Sequence, residues 1–426
     1  MIPPKVDMQK NCYPLNKSYL HFNLRCLTWF GIWNPYERED GKKYWLYQVY
    51  WVFAVNIIMA MRVGNIFMEQ VHVENSAEFL DAFSHLGVII ADVITYLAFF
   101  FHRVEVWDLA EAFNWERHLP GTHEISRYRN TVVTSSMNSS KLFAIVIFIS
   151  PIQYFTLAYY SIFYEADYNI DNLPIGIAPM KYSLISKNFW FAFFWDYLSF
   201  THLGLITVGQ NAFIMAIMIN IKAQLKMLNY RMERCHLTTY EMDNSGDYDD
   251  SDVIHFECIE RPLTDKSVSL NPNEELINCI RLHQQILWIL ETFKTIYNKA
   301  LLPQLGINLL IITVILLRIA LGRRNNSGDA VIAIGYLLPV VLQFFTYCWG
   351  GNIILVESDK STNSLYASHW YNCDKEFREN VKIFFDVIRN PLIIKVGGLY
   401  DLSALTFKNV ITKAYSGVAV LQNMSE

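Results

Sequence analysis

The chain ends LTFKNVITKAYSGVAVLQNMSE, and two lysines, Lys408 and Lys413, lie inside this otherwise membrane-like run. An isolated lysine near a bilayer midplane costs at least ~2.5 kcal/mol, so each amine must meet water or a partner. Drawn on a helix, Asn409, Thr412, Lys413, Ser416 and Asn423 form one stripe. Ile411, Ala414, Tyr415, Val418, Leu421 and Gln422 form much of another. Either stripe could face a water-filled path. Catalytic chemistry has no comparable footing: there is no P-loop, GxSxG or HExxH, and the 11 histidines are scattered. An enzyme is not expected, nor is a cofactor.

Positioning such residues requires membrane-spanning elements, and the composition supplies them. Of 426 residues, 53% are hydrophobic, 15% aromatic and only 18% charged, too apolar for an average soluble protein. The apolar residues gather into seven windows, at roughly 45 to 64, 79 to 102, 140 to 163, 189 to 220, 301 to 322, 330 to 356 and 402 to 422. Each is long enough to cross about 30 Å of hydrocarbon as a helix. The first, beginning WLYQVYWVFAVNIIMAM, is too long and too aromatic for a cleaved signal peptide. Lys and Arg concentrate in the first, third, fifth and seventh segments between the windows, which places those segments and the N-terminus in the cytosol and the C-terminus outside. The expected fold is an all-α polytopic membrane protein of seven transmembrane helices.

All seven cysteines (Cys12, Cys26, Cys235, Cys258, Cys279, Cys348, Cys373) fall in cytosolic segments or inside a span, without CxxC spacing. Free thiols are expected, with neither a disulfide framework nor a metal site. The third cytosolic segment, 221–300, contains EMDNSGDYDDSD, too polar and too acidic to fold by burial. On either side the helical pattern continues: IKAQLKMLNYRMERC prolongs the fourth span inward, and Leu276, Ile280, Ile286, Leu287, Leu290 and Phe293 recur at helical spacing before the fifth. Lys375 to Arg389 is amphipathic, with Phe377, Val381, Phe384, Phe385 and Ile388 on one side, and is stopped by Asn390 and Pro391. Gly397 and Gly398 allow the chain to turn before the last span. Helices four to seven are thus expected to extend into a cytosolic anchor bundle.

The resulting organisation is 1–44, a cytosolic N-terminal segment; 45–220, spans one to four; 221–300, cytosolic helices around a disordered acidic loop at about 238–272; 301–356, spans five and six; 357–401, a cytosolic anchor helix; and 402–422, the last span. Asp92 and Asp196 are carboxyls inside spans, rare enough to need a role. For Asp92 the favoured one is a structural pairing with a lysine or a hydroxyl. The sequon at Asn325 lies in a very short outer loop, and those at Asn16 and Asn138 face the cytosol, so none is expected to carry glycan.

With that architecture in place, LHQQILWILETF before span five, YCWGGNIILVES closing span six and LTFKNVITKAYSGVAVL at the end resemble the insect odorant receptor family. The chain is similar to the family's divergent odour-tuning subunits rather than to the shared co-receptor, Orco. The resemblance implies a ligand-gated, non-selective cation channel, a tetramer with Orco subunits in the plasma membrane of olfactory sensory neurons. Its last helices would surround the pore, with no nucleic-acid partner. It implies a gate near the outer end at Val418 and Leu421 or Gln422, with Lys408 in the inner vestibule. It also implies an odorant pocket in the outer half of the bundle, which translates to Phe83, Leu86 and Ile90; Ile149, Ile152, Gln153 and Thr156; Trp195, Ser199 and His202; and Tyr336. That lining is aromatic and apolar with a few polar anchors, suited to a small volatile. A gustatory receptor of the same architecture is the nearer alternative, but its usual ending, TY, five apolar residues, then QF, is not matched here. A G-protein-coupled receptor would need the reverse topology.

Overall fold

A computed structural model describes residues 19–36, 41–51, 53, 76–115, 119, 123–165, 189–237, 271–322 and 327–425. Ten α-helices are described, α1 (His21–Trp29), α2 (Lys42–Trp51), α3 (Ser76–Phe101), α4 (Arg103–Ala112), α5 (His123–Glu165), α6 (Phe189–Arg234), α7 (Pro272–Gly322), α8 (Ser327–Tyr366), α9 (Lys375–Ile388) and α10 (Ala404–Ser425), with a short 3-10 turn at Trp370–Asn372. A two-residue antiparallel hairpin, β1 (Lys395–Val396) with β2 (Tyr400–Asp401), precedes α10. The fold is all-α and polytopic. Among the described residues three helical stretches are long and apolar enough to cross a membrane: Gly204–Arg234, Pro272–Leu316 and Leu337–Asn372. A fourth candidate is bent, with Leu86–Phe101 and Arg103–Ala112 meeting at 73°. Most of the first expected span and nearly all of the acidic loop at 238–272 lie outside the described residues.

Helix length explains the architecture. With 46 and 51 residues, α6 and α7 run about 70 Å or more, over twice the hydrocarbon thickness. Both must project beyond the bilayer, as the sequence pattern implied. Their projecting parts are held by a dry seam: Leu225, Leu228 and Met232 of α6, and Leu276, Cys279, Leu282, Ile286, Ile289 and Phe293 of α7 are buried. α9 closes the seam with Phe377, Val381, Phe384 and Ile388, all buried and spaced one turn apart. Its first turn is capped by Asp374, whose Oδ1 accepts the Phe377 N–H at 3.0 Å. Inside the stem Arg231 donates to Glu275 at 3.0 Å, with side chains 0% and 3% exposed. Burial raises the Glu275 carboxyl above its usual range despite the Arg231 charge beside it. Burial likewise pushes the Cys235 thiol up to about 12, so this cysteine stays a neutral thiol.

The N-terminal segment is more than a cytosolic lead-in. α1 is built into the bundle: Asn23 Nδ2 donates to the Ala212 carbonyl at 3.2 Å, and Ser140 Oγ donates to Asn23 Oδ1 at 2.9 Å. Trp33 stacks on Trp107 with centroids 5.6 Å apart. The close approach needs Gly209, where an added Cβ would lie 2.8 Å from the Phe30 ring. α5 and α8 also run further into the cytosol than the apolar windows indicated, because the helix continues where the hydrophobic pattern stops.

Candidate ligand cavity and pore helix

The expected cavity residues fall on four helices. α6 packs along both α5 and α8, and α5 also touches α8, so three of the four cavity-bearing helices adjoin one another. α3 packs chiefly on α7 and more lightly on α6. Leu86 is partly buried and Ile90 is 44% exposed, while their neighbour Ile89 is buried. His202 is partly buried on α6. The side chains of Phe83, Ile149, Ile152, Gln153, Thr156, Trp195, Ser199 and Tyr336 lie outside the described residues, as does that of Asp196.

Toward the cytosolic half the same helices enclose a buried polar layer that the sequence signalled only through Asp92. Thr207 Oγ1 lies 2.6 Å from Asp92 Oδ2, which makes a hydroxyl, not a lysine, the partner of this carboxyl. One turn along α3, Thr95 Oγ1 sits 2.9 Å from Gln304 Oε1 of α7. Tyr347 of α8 donates its hydroxyl to Asn211 Oδ1 of α6. Asp92, Thr95, Gln210, Asn211, Gln304, Asn308 and Tyr347 are all buried. Gln210 Nε2 and Asn308 Nδ2 have no hydrogen-bond partner among the described residues. Buried amides of this kind hold helices in register when satisfied and favour rearrangement when they are not.

The last helix is anchored at its base and bare along one side. The hairpin turn uses Gly397 and Gly398 at φ +61° and +70°, a conformation that costs glycine nothing. The Gly397 N–H donates to Asn298 Oδ1 of α7. A Cβ on Gly397 would meet Leu302 at 2.6 Å, and one on Gly351 of α8 would meet the Leu402 carbonyl oxygen at 2.2 Å. Two glycines therefore let the start of α10 seat on both long helices. Above the seat Ala414 is buried, Phe407, Val410 and Ile411 are partly buried, and Phe407 packs on the rings of Phe344 and Phe345. Lys408, Asn409, Thr412, Lys413 and Ser416 are exposed, as are Leu405 and Tyr415. At about 100° per residue, Lys408 round to Lys413 spans about 140° of the helix. Ser416 satisfies its hydroxyl on the Thr412 carbonyl at 2.9 Å. Neither lysine has an ion-pair partner among the described residues. The polar stripe thus faces away from its own subunit, while Ile411 and Ala414 of the other stripe turn inward. The side chains of Val418, Leu421 and Gln422 lie outside the described residues.

The family model for the 7tm Odorant receptor matches residues 75–415. The chain belongs to the odorant receptor family. The receptor is 28% identical over 145 residues to Odorant receptor 94a of Drosophila melanogaster, covering 34% of this chain and 38% of that protein. It is 28% identical over 152 residues to Odorant receptor Or1 of Anopheles gambiae, covering 35% and 36%. The matched stretch thus spans well under half of either relative. In fold, the receptor is similar to the insect olfactory receptor OR5 of Machilis hrabei in complex with eugenol, with a TM-score of 0.73 at 13% identity over 96% of this chain and 98% of that one. Without eugenol the same neighbour gives a TM-score of 0.71. The specifically numbered relatives accord with a tuning subunit, and a family of receptors leaves no place for an enzyme.

Proposed function

We propose that this chain is the odorant-binding subunit of a heteromeric, odorant-gated, non-selective cation channel. Four subunits, this one together with Orco co-receptor subunits, surround a central pore in the plasma membrane of olfactory sensory neurons. The observation that carries the reading is the unpartnered polar face of α10, with two lysines uncovered on a helix long enough to span the bilayer. A lipid-facing helix would not tolerate that face, whereas a helix beside water does. The polar stripe faces neighbouring helices or the wider inner vestibule. The gate is nearer the outer end, at Val418 with Leu421 or Gln422, where a ring of apolar side chains blocks ions by dewetting.

A small volatile occupies the outer half of the bundle, among Phe83, Leu86, Ile90, Ile149, Ile152, Gln153, Thr156, Trp195, Ser199, His202 and Tyr336, and binds mainly by burial. The eugenol held by the similar OR5 structure supports a ligand of that size.

The test is expression with and without the co-receptor, recording odour-evoked currents while G-protein signalling is blocked. The expected result is a cation current that needs the co-receptor and survives the block. A current that vanishes with G-protein signalling overturns the channel reading. Val418→Ala is expected to change the closed-state leak, and an unchanged leak moves the gate elsewhere.

A further inference from the structure

We infer that Lys222, Lys226 and Lys360 hold the headgroup of an anionic phospholipid of the cytosolic leaflet. The inference rests on the seven-helix orientation and goes beyond the channel reading. Lys222 and Lys226 lie one turn apart on α6, and both are partly buried. On the same stripe, Asn229 Nδ2 donates to the Glu357 carbonyl of α8 at 3.1 Å, and Ser361 Oγ donates to Asn229 Oδ1 at 2.7 Å. That junction sets the two α6 lysines beside the turn of α8 that bears Glu357 and Lys360, and both of these groups, with Lys226, are within electrostatic reach of Lys222.

Charge does not balance there. The carboxylate in that reach, Glu357, is already engaged: its Oε2 accepts from Lys360 Nζ at 3.2 Å, and its Oε1 lies 3.4 Å from Asn229 Nδ2. Neither Lys222 nor Lys226 makes an ion pair among the described residues, and the exposed Asp359 beside Lys360 makes none either. Three ammonium groups thus share one carboxylate. Two of the three have lost part of their hydration, which is costly for like charges unless an anion joins them.

Depth decides where that anion comes from. Lys222 and Lys226 follow the fourth apolar window by about 3 and 9 Å of helix, and Lys360 follows the sixth by about 6 Å. This is the level of phospholipid headgroups. On α8 the exposed Leu338, Phe345, Trp349 and Val356 run along one stripe into Lys360, at spacings of 7, 4, 7 and 4 residues. An apolar track at hydrocarbon depth that ends on a lysine at headgroup depth suits an acyl chain above and a phosphate below. A soluble phosphate would gain nothing from that track.

The test is binding of short-chain phosphatidylinositol 4,5-bisphosphate to the solubilised receptor assembled with its co-receptor, compared with phosphatidylcholine and with soluble inositol trisphosphate. Wild type is expected to prefer the anionic lipid to both. Lys222→Gln and Lys226→Gln are each expected to weaken it about fivefold, the attraction lost with one basic residue near the headgroups. Lys222→Arg should retain binding, and Lys382→Gln, at an exposed lysine of α9, should not alter it. Should Lys222→Gln fail to assemble, Lys360→Gln, at an exposed side chain, carries the same expectation. Unchanged lipid affinity in the glutamine variants overturns the inference. Equal binding of inositol trisphosphate and the lipid places the anion in the cytosol and also overturns it. The readout needs no current, so its failure leaves the channel reading standing, and a failed channel reading leaves lipid binding measurable.

Discussion

Replacing Glu275 by glutamine tests whether the cytosolic stem depends on its buried charge pair. Arg231 and Glu275 meet at 3.0 Å with side chains 0% and 3% exposed, and Asn278 Nδ2 lies 3.4 Å from the other Glu275 oxygen. Arg231 cannot shed its proton, so Glu275→Gln removes the carboxylate charge that faces a guanidinium held out of water. Breaking one side of such a pair costs roughly 3–5 kcal/mol. Exchanging both partners for apolar residues of similar volume, as in Arg231→Met with Glu275→Leu, removes the stranded charge and is expected to be neutral or stabilising. The pair joins α6 to α7 below the membrane, so the readout is heat stability of the solubilised receptor, followed by size-exclusion chromatography after graded heating. Glu275→Gln and Arg231→Met should each lower the midpoint by about 5 °C or more. The double variant should recover most of that loss. Singles within 1 °C of wild type, to order of magnitude no measurable cost, or a double variant worse than either single, would refute this view of the stem.

Other perturbations address other elements. Gly351→Ala drives a Cβ to 2.2 Å from the Leu402 carbonyl oxygen, an overpacking cost of ~1–3 kcal/mol; odour-evoked current normalised to surface protein should fall sharply. Gly306→Ala, where an added Cβ meets nothing within 4 Å, should leave current intact and slightly raise stability. Asp92→Asn retains a group that can bond Thr207 and should be mild, whereas Asp92→Leu removes the acceptor that Thr207 meets at 2.6 Å and should cost ~1–3 kcal/mol in thermal stability. His283, packed against Phe384 at 5.6 Å, is lowered by burial to about 4. The unfolded chain therefore takes up the proton first, so stability is untouched above about pH 6.5 and falls by ~3 kcal/mol as pH drops toward 4. His283→Phe should flatten that acid limb in a pH series of melting midpoints.

Where the sequence was legible, one periodicity dominated. The 3.6-residue pattern of α9 gave the face that is buried, because a short amphipathic helix on an apolar seam has one stable orientation. The stems of α6 and α7 were readable because their apolar positions continue past the membrane window. α1 was not readable: nine residues with Arg25, His21 and Asn23 among them look like a solvated segment, and only the partner surface, opened by Gly209, makes them buried. The polar layer around Asp92 was equally hidden. Asn211, Gln304 and Asn308 come from different helices, more than ninety residues apart between α6 and α7, and local pattern carries no record of such encounters. For α10, two competing stripes could be drawn from the sequence, but which one its own subunit covers depends on the rings of Phe344 and Phe345 and on the seat at Gly351.

That seat bears on how an event in the outer bundle reaches the pore. α8 carries Tyr336 in the proposed odorant cavity, Tyr347 in the polar layer and Gly351 under Leu402, all on one continuous helix. α7 carries Gln304 in the same layer, and Asn298 and Leu302 beneath the hairpin. With the Leu402 backbone against Gly351, and the Leu302 and Asn298 side chains against Gly397, neither helix can slide without shifting the base of α10. The polar layer lies between the proposed cavity and the seat, and two of its amides that have no partner among the described residues, those of Gln210 and Asn308, leave room for a second hydrogen-bonding arrangement. Packed elements joined through alternative polar registers switch between discrete states instead of deforming smoothly. A ligand that prefers one register of α8 need supply only its differential affinity for that register to bias the pore helix.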